Sequence, residues 1–282
     1  MQTIFQNILD TYNTSTIREF EGLTPQQMQS VLYDLFGENC PIILHDKLSN
    51  ETLDEIKFFR LCEEFLKIIQ RENALKLTPK GNLQKKVVIE LYEHRLITDF
   101  AIESGIFKNF IENEIDSIHN TNLICQIAGV IKKSNNSLTL TTKGIKLINT
   151  AKRNELFKLV LETFIKKFSW CYNDNYSDQM TGQFGIGYVL ILLMMLGNEE
   201  RSIQFYGDKY LAAFPNIIDN FIENECSTPL NDFYNCFAVR VFDRFLYWFG
   251  LVNVVERKEK WHSKNDIVVI WDVMHDIFLL KI

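Results

Sequence analysis

Apolar residues recur three and four positions apart along most of this chain, and short alternating stretches interrupt them, a pattern that predicts helices punctuated by small hairpins. Thr24-Pro25-Gln26-Gln27 reads as a helix start, with threonine as N-cap, proline at the first helical position and glutamine closing a capping box. That helix carries Met28, Val31, Leu32 and Leu35 to a stop at Gly37, and Ile42-Ile43-Leu44 beyond Pro41 is a short apolar piece of strand or loop character. A second helix spans residues 53–71, with Ile56, Phe59, Phe65, Leu66 and Ile69 as its apolar stripe.

A phrase then occurs twice: Leu75-x-Leu77-Thr78-x-Lys80-Gly81 and Leu138-x-Leu140-Thr141-x-Lys143-Gly144. Each copy reads as strand, cap and helix start, and Thr78-Pro79 again pairs an N-cap with proline ahead of Leu83, Val87, Val88 and Leu91. Around the second copy a helix through Leu123, Ile124 and Ile127 precedes a hairpin: strand 130–133, a turn at Ser134-Asn135-Asn136-Ser137, and strand 138–141. A hairpin directly after a helix has the form of the end of a winged-helix domain. A helix over 155–168 follows, then an apolar helix over 186–196, another through Phe205 to Phe214, and an aromatic helix over 232–249 ended by Gly250. Strands 251–255 and 267–271 flank a charged tip, and Asp272 stands as cap of a last helix through Val273, Ile277 and Leu280.

The fold class expected is therefore mainly α with small β-hairpins, as tandem winged-helix-like units joined by a helical region. The divisions are an N-terminal helical region over 1–72, a winged-helix-like domain over 73–152, a helical connector over 153–216, and a C-terminal winged-helix-like domain over 217–282.

Composition sharpens this picture. The 282 residues include 22 Phe, 10 Tyr and 4 Trp but only 5 Pro, which suits packed helices with short connections. A formal charge of −6 gives no overall attraction to a phosphate backbone, so a nucleic-acid site would have to be a local patch. The N-terminal residues have no basic n-region, and the longest apolar run is too short for the ~20 residues of a spanning helix. A cytoplasmic protein without membrane contact is expected.

Candidate chemistry is sparse. The 6 cysteines form no CxxC pair and the 5 histidines no HExxH, so no metal or other cofactor and no catalytic residue is assigned. Gly182-x-x-Gly185-x-Gly187 departs from both nucleotide-binding glycine patterns and reads as close helix packing. The loop from Asn173 to Asp178 places oxygen ligands at alternate positions, but a calcium frame begun at Asn173 puts Asp178 where glycine belongs and Phe184 where the bidentate glutamate belongs. Asp272 and His275 share a helical face as a surface pair.

The most suggestive stretch is the tip between the last two predicted strands, where Arg257, Lys258, Lys260, Trp261 and Lys264 combine positive charge with an aromatic ring. Basic charge meets phosphates and an aromatic ring stacks on a base, so these five are candidate nucleic-acid contacts. The helix before the middle hairpin offers Asn120, Asn122 and Gln126 but no Arg or Lys for reading base edges.

Three groups of residues carry a resemblance. They are Gly22-Leu23-Thr24-Pro25-Gln26-Gln27-Met28, Leu77-Thr78-x-Lys80-Gly81-Asn82-Leu83, and the stretch 155–215. The last contains Leu161-Glu162-Thr163-Phe164, Phe168-Ser169-Trp170-x-Tyr172, Phe184-Gly185 and Phe205-Tyr206-x-x-Lys209-Tyr210-Leu211-x-x-Phe214-Pro215. Together they resemble a set of uncharacterised bacterial proteins, some of them plasmid open-reading-frame products and others bearing a cysteine-rich SEC-C zinc motif. The resemblance implies a shared fold and no catalytic residues. The chain lacks the C-terminal cysteine cluster, so zinc does not carry over.

The function expected from these features is a non-enzymatic binding or regulatory protein whose partner is another protein. A winged-helix DNA-associated regulator using the 257–264 tip, and an enzyme with dispersed catalytic residues, are the alternatives.

Overall fold

The computed structural model describes residues 2–106, 109–172, 174–223, 225, 227–257 and 263–281. The chain is mainly helical with small antiparallel sheets and forms two compact units. Unit 1 comprises Met1–His45 with Ser169–Ile282, and unit 2 is Asp46–Phe168.

Unit 1 begins with α1 (Gln2–Thr14), α2 (Pro25–Tyr33) and β1 (Ile42–Leu44). The capping box at α2 is present in both directions. The Thr24 hydroxyl accepts the Gln27 N–H at 3.2 Å, and the Gln27 side-chain oxygen accepts the Thr24 N–H at 2.9 Å. Thr24→Ala is expected to cost about 1 kcal/mol, because it orphans a helix-end donor. The check is a lower urea midpoint with an unchanged slope.

Unit 2 follows as α3 (Asn50–Glu55), α4 (Lys57–Glu72), β2 (Leu75–Lys76), α5 (Lys85–Glu93), α6 (Phe100–Glu103), α7 (Asp116–Ile127), β3 (Ile131–Ser134), β4 (Ser137–Leu140), α8 (Thr142–Leu147) and α9 (Arg153–Lys166). The single helix expected over 53–71 is two helices. Ser49 caps the first, and fully buried Ile56 takes an extended ψ of 92° between them. The core is α4 against α7 and α9, with edge-on ring contacts Phe58–Phe164 at 5.4 Å and Phe59–Phe157 at 5.6 Å. Arg153 ties the start of α9 to α3 and α4, giving both oxygens of Glu63 a bond of 2.8 Å and Asp54 another.

The two copies of the repeated phrase prove to be neighbours. Leu75 lies opposite Leu138 and Lys76 opposite Ser137, and the three strands run in the order β2-β4-β3. Their endings differ. In the second copy the Thr141 hydroxyl accepts the Gly144 N–H at 3.0 Å and caps α8 as expected. A Cβ at Gly144 would sit 2.0 Å from the Val130 carbonyl oxygen, so the backbones meet where only glycine fits. In the first copy Thr78 caps no helix. Its hydroxyl accepts the Asn82 N–H at 3.1 Å across a tight turn in which Gly81 takes φ +83°, and α5 begins only at Lys85. Proline at Pro79 therefore serves the turn, a role open to the same dipeptide because its fixed φ suits both turn and helix.

The chain re-enters unit 1 with α10 (Ile186–Leu196), β5 (Arg201–Ser202), α11 (Ile203–Ala213), α12 (Pro229–Phe237), β6 (Val252–Glu256), β7 (Ile267–Ile270), α13 (Val273–Ile277) and β8 (Phe278–Leu280). Residues 238–246 continue α12 as a π-helix, with Tyr247 N–H donating to the Phe242 carbonyl, where a single α-helix was expected. The last helix also ends early. It stops at Ile277, and the chain straightens into β8, which pairs with β1 through Ile42↔Leu280, Ile43↔Leu279 and Leu44↔Phe278. The other sheet has the order β5-β7-β6. Helix, short strand, further helices and hairpin thus occur in the same order in both units, with α5, α6 and α7 in unit 2 against α11 and α12 in unit 1, and in each the short strand pairs with the second strand of the hairpin. No helix among the described residues is long and apolar enough to cross a membrane.

Candidate functional site

The polar loop before α10 is organised around Arg240, which projects from the π-helical turn and is completely buried. Its Nε and Nη2 donate to the two oxygens of Asp174 at 2.5 and 3.0 Å, and Nη2 also donates to the Asp178 carbonyl at 2.8 Å. Asp178, itself 1% exposed, turns its carboxylate to the N–H groups of Met180 and Thr181 and to the Asn220 amide. Burial opposes the Arg240 charge, yet the bonds to Asp174 and the nearby negative charges, those of Asp174 and Asp178 among them, together outweigh it and hold its pKa above the ordinary value. The carboxylates that suggested a calcium loop therefore have a guanidinium as their cation.

The glycines beyond that loop serve packing. A Cβ on Gly182 would lie 2.7 Å from Val241 Cγ2, and one on Gly187 would lie 2.6 Å from Leu35 Cδ1. Between them Tyr210 accepts the Gly182 N–H at 3.3 Å and donates to the Phe184 carbonyl, pinning the loop to α11. Outside this pinned loop lies an open concavity of about 360 Å³ formed by Met180, Phe184, Ala213, Phe214, Pro215, Ile217 and two asparagines. Phe214 stacks edge-on with Phe184 at 5.3 Å and with Tyr188 at 5.8 Å, so the wall is rigid. No lining side chain is ionisable.

Unit 2 has its own buried charge. Glu112, 2% exposed, accepts the Leu83 N–H, the Asn122 amide at 2.7 Å and His119 Nδ1 at 3.3 Å. Burial pushes its pKa up, but those donors outweigh burial and hold the carboxyl below the usual 4.5. Asn120 and Asn122, which sequence placed on a reading helix, are buried at 3% and 6%. Gln126 bonds Asn122 at 2.9 Å. Helix α7 is enclosed because α9 packs over the side that α4 and β3 leave open, and Ile127 is its one exposed side chain. The helix from Pro229 to Leu246 is enclosed in the same manner, with only Leu230 exposed.

Of the tip residues, Lys258, Lys260 and Trp261 lie outside the described residues. Arg257 stands 3.8 Å from the buried carboxylate of Asp266. Lys264 reaches the Asn231 side-chain oxygen at 3.3 Å and lies over the Tyr234 ring at 5.0 Å, so its ammonium fastens the hairpin to α12. Asp272 and His275 are both exposed. Burial pushes the thiols of Cys62 and Cys236 well above the ordinary range, which leaves them poor nucleophiles. Among the described residues no three His, Cys, Asp or Glu side chains gather as metal ligands would.

Arg240 and Glu112 were not singled out by sequence. A lone arginine within the apolar run Phe237-Ala238-Val239-Arg240-Val241-Phe242 was the available signal, since a charge at a core position demands a partner. Glu112 carried no such signal, because its partners are scattered over 83–122. No family model, curated protein or solved structure matches this chain.

Proposed function

We propose that the chain is a non-enzymatic binding or regulatory protein that acts through contacts with another protein, built from tandem winged-helix-like units. The element order and the β2-β4-β3 and β5-β7-β6 sheets support the winged-helix-like reading. The observation that carries the functional reading is the concavity beside Phe214. It is open, apolar and free of ionisable groups, a shape that accepts an apolar side chain of a partner and offers no acid, base or nucleophile. The buried charges of Arg240 and Glu112 are consumed internally, the first by Asp174 and the second by α7. Enclosure of α7 and of the helix from Pro229 to Leu246 speaks against the alternative of a regulator that reads base edges with them. Kinship with the uncharacterised bacterial proteins that the sequence resembles belongs to the same proposal.

Met180 is 48% exposed at the rim, so a replacement there is expected to leave the fold intact. A photo-crosslinking amino acid placed there is expected to give protein adducts of discrete mass in cells, whereas the same group at Tyr33, 76% exposed on α2, gives none. Adducts only with small molecules, or equal labelling from both positions, would remove the support for a protein partner.

A further inference from the structure

The net charge of −6 conceals a segregation of charge in unit 2. Residues 74–89 contain Lys76, Lys80, Lys85 and Lys86 and no Asp or Glu, and residues 128–151 contain Lys132, Lys133, Lys143 and Lys146 and again no acid. The fold brings these two stretches together, because β2 pairs with β4 and β4 with β3. Lys76 lies opposite Ser137, and Lys132 lies opposite Thr139, so both lysines share the sheet face whose other positions are Ser134, Ser137 and Thr139. The opposite face buries Leu75 and Leu138, and Lys133, which lies opposite Leu138, leaves it at the hairpin end to reach the Thr78–Asn82 turn.

The turn carrying Lys80 is fixed to the hairpin tip. Leu77 N–H donates to the Asn136 carbonyl at 2.9 Å, the Asn136 amide donates to the Thr78 carbonyl at 3.0 Å, and Lys133 Nζ donates to the Gly81 carbonyl at 3.0 Å. Lys85 and Lys86 follow at once in the first turn of α5. All six side chains, at 76, 80, 85, 86, 132 and 133, are exposed. Among the described residues no carboxylate comes within 4.0 Å of Lys76, Lys80, Lys85, Lys132 or Lys133. The nearest acid on α5, Glu90, is already held by Arg71 through bonds of 2.6 and 2.9 Å.

We propose that this basic wing surface of unit 2, the outer face of β2-β4-β3 with the Thr78–Asn82 turn and the start of α5, binds the phosphate backbone of double-helical DNA. Like charges gathered without counter-ions repel one another, and a regular polyanion relieves that repulsion while releasing its own condensed cations. The two acid-free stretches contain no Phe, Tyr or Trp, so the surface lacks the stacking platform that single strands use. A two-stranded ribbon enters the B-form major groove, whereas the A-form major groove is too deep and narrow for it, which favours DNA over RNA duplex. With α7 enclosed, the contact is to backbone and carries little sequence preference.

The test is fluorescence anisotropy of the full chain with a random-sequence DNA duplex, the matching RNA duplex, the single strand and poly-glutamate, between 50 and 200 mM KCl. With about four phosphates contacted, affinity for DNA is expected to fall roughly a hundredfold across that range. The variant Lys76→Glu, Lys80→Glu, Lys132→Glu is expected to abolish binding at 200 mM. Single Lys→Ala changes at the same positions should each flatten the salt slope by about one. A charge-matched control, Arg18→Glu, Lys47→Glu, Lys158→Glu, alters exposed cations elsewhere and is expected to retain most of the affinity. Absence of duplex binding at 50 mM KCl would overturn the proposal. So would equal losses in variant and control, or tighter binding of RNA duplex, single strand or poly-glutamate. Thermal unfolding of each variant, expected to match wild type because the substituted side chains are exposed, separates lost binding from lost folding.

Discussion

Arg240→Ala is expected to destabilise unit 1 by about 3–5 kcal/mol, because it strands two carboxylates that have almost no access to water. Asp174 would lose both of its bonds to the guanidinium at a site 2% exposed, and the Asp178 carbonyl would lose a donor at 2.8 Å. The loss should exceed that of replacing Arg240 and Asp174 together by Met and Leu. A buried pair exchanged for apolar volume forfeits the attraction and the desolvation cost at once. Urea unfolding of Arg240→Met, Asp174→Leu and the variant carrying both closes a cycle whose coupling is expected to be several times that of an exposed pair. If Arg240→Ala unfolds at the wild-type midpoint, the cluster is not what holds the 174–183 loop.

Glu112→Ala is expected to leave the Leu83 N–H and the Asn122 amide without an acceptor, at about 1–3 kcal/mol for each buried donor. Glu112→Gln retains an acceptor and removes the charge, so it isolates the pH dependence. The native carboxyl sits below its usual 4.5, so the folded state binds fewer protons than the unfolded one as pH falls. Its contribution is therefore complete above about pH 4.5 and is lost as pH drops through the depressed folded value. Wild type and Glu112→Gln should differ most at neutral pH and converge in acid. Parallel curves would show that the carboxylate charge contributes nothing to folding.

Local features of the fold were legible in the sequence and distant ones were not. The Asn135-Asn136 turn has φ values of 48° and 52°, and these residues adopt that left-handed conformation readily, so two adjacent asparagines between alternating stretches identify the hairpin by themselves. Thr24-Pro25 and Gly250 are of the same kind, being local chemistry at a helix end. Ile42-Ile43-Leu44 is different. Three apolar residues form a strand only because β8 supplies the partner, and nothing near position 42 points to position 280. The apolar period of 237–249 reads as one α-helix, and it gives no sign of the π-helical stretch over 238–246.

The candidate site divides along the same line. The apolar wall around Phe214 was visible as a cluster of aromatic residues near Pro215, while the concavity arises from tertiary packing. The polar residues of α7, which lack Arg or Lys for reading base edges, gave no sign that they are buried, because sequence cannot show that α9 covers the helix. The lysines of unit 2 were legible one by one. Their freedom from acids follows from the strand pairing that joins 74–89 to 128–151.

The pairing of β1 with β8 also sets an order of assembly during synthesis. Unit 2 is complete once residue 168 has been made and can form its core while the rest of the chain is still being added. Unit 1 has no such early completion. Its first strand remains without its neighbour until residues 278–280 emerge, so its N-terminal helices wait through the making of almost everything else. Such long-separated contacts form slowly, and the interval leaves the apolar residues of α2 and β1 open to other chains. The burden of that delay falls on the last strand, which must arrive before the waiting segment finds another edge.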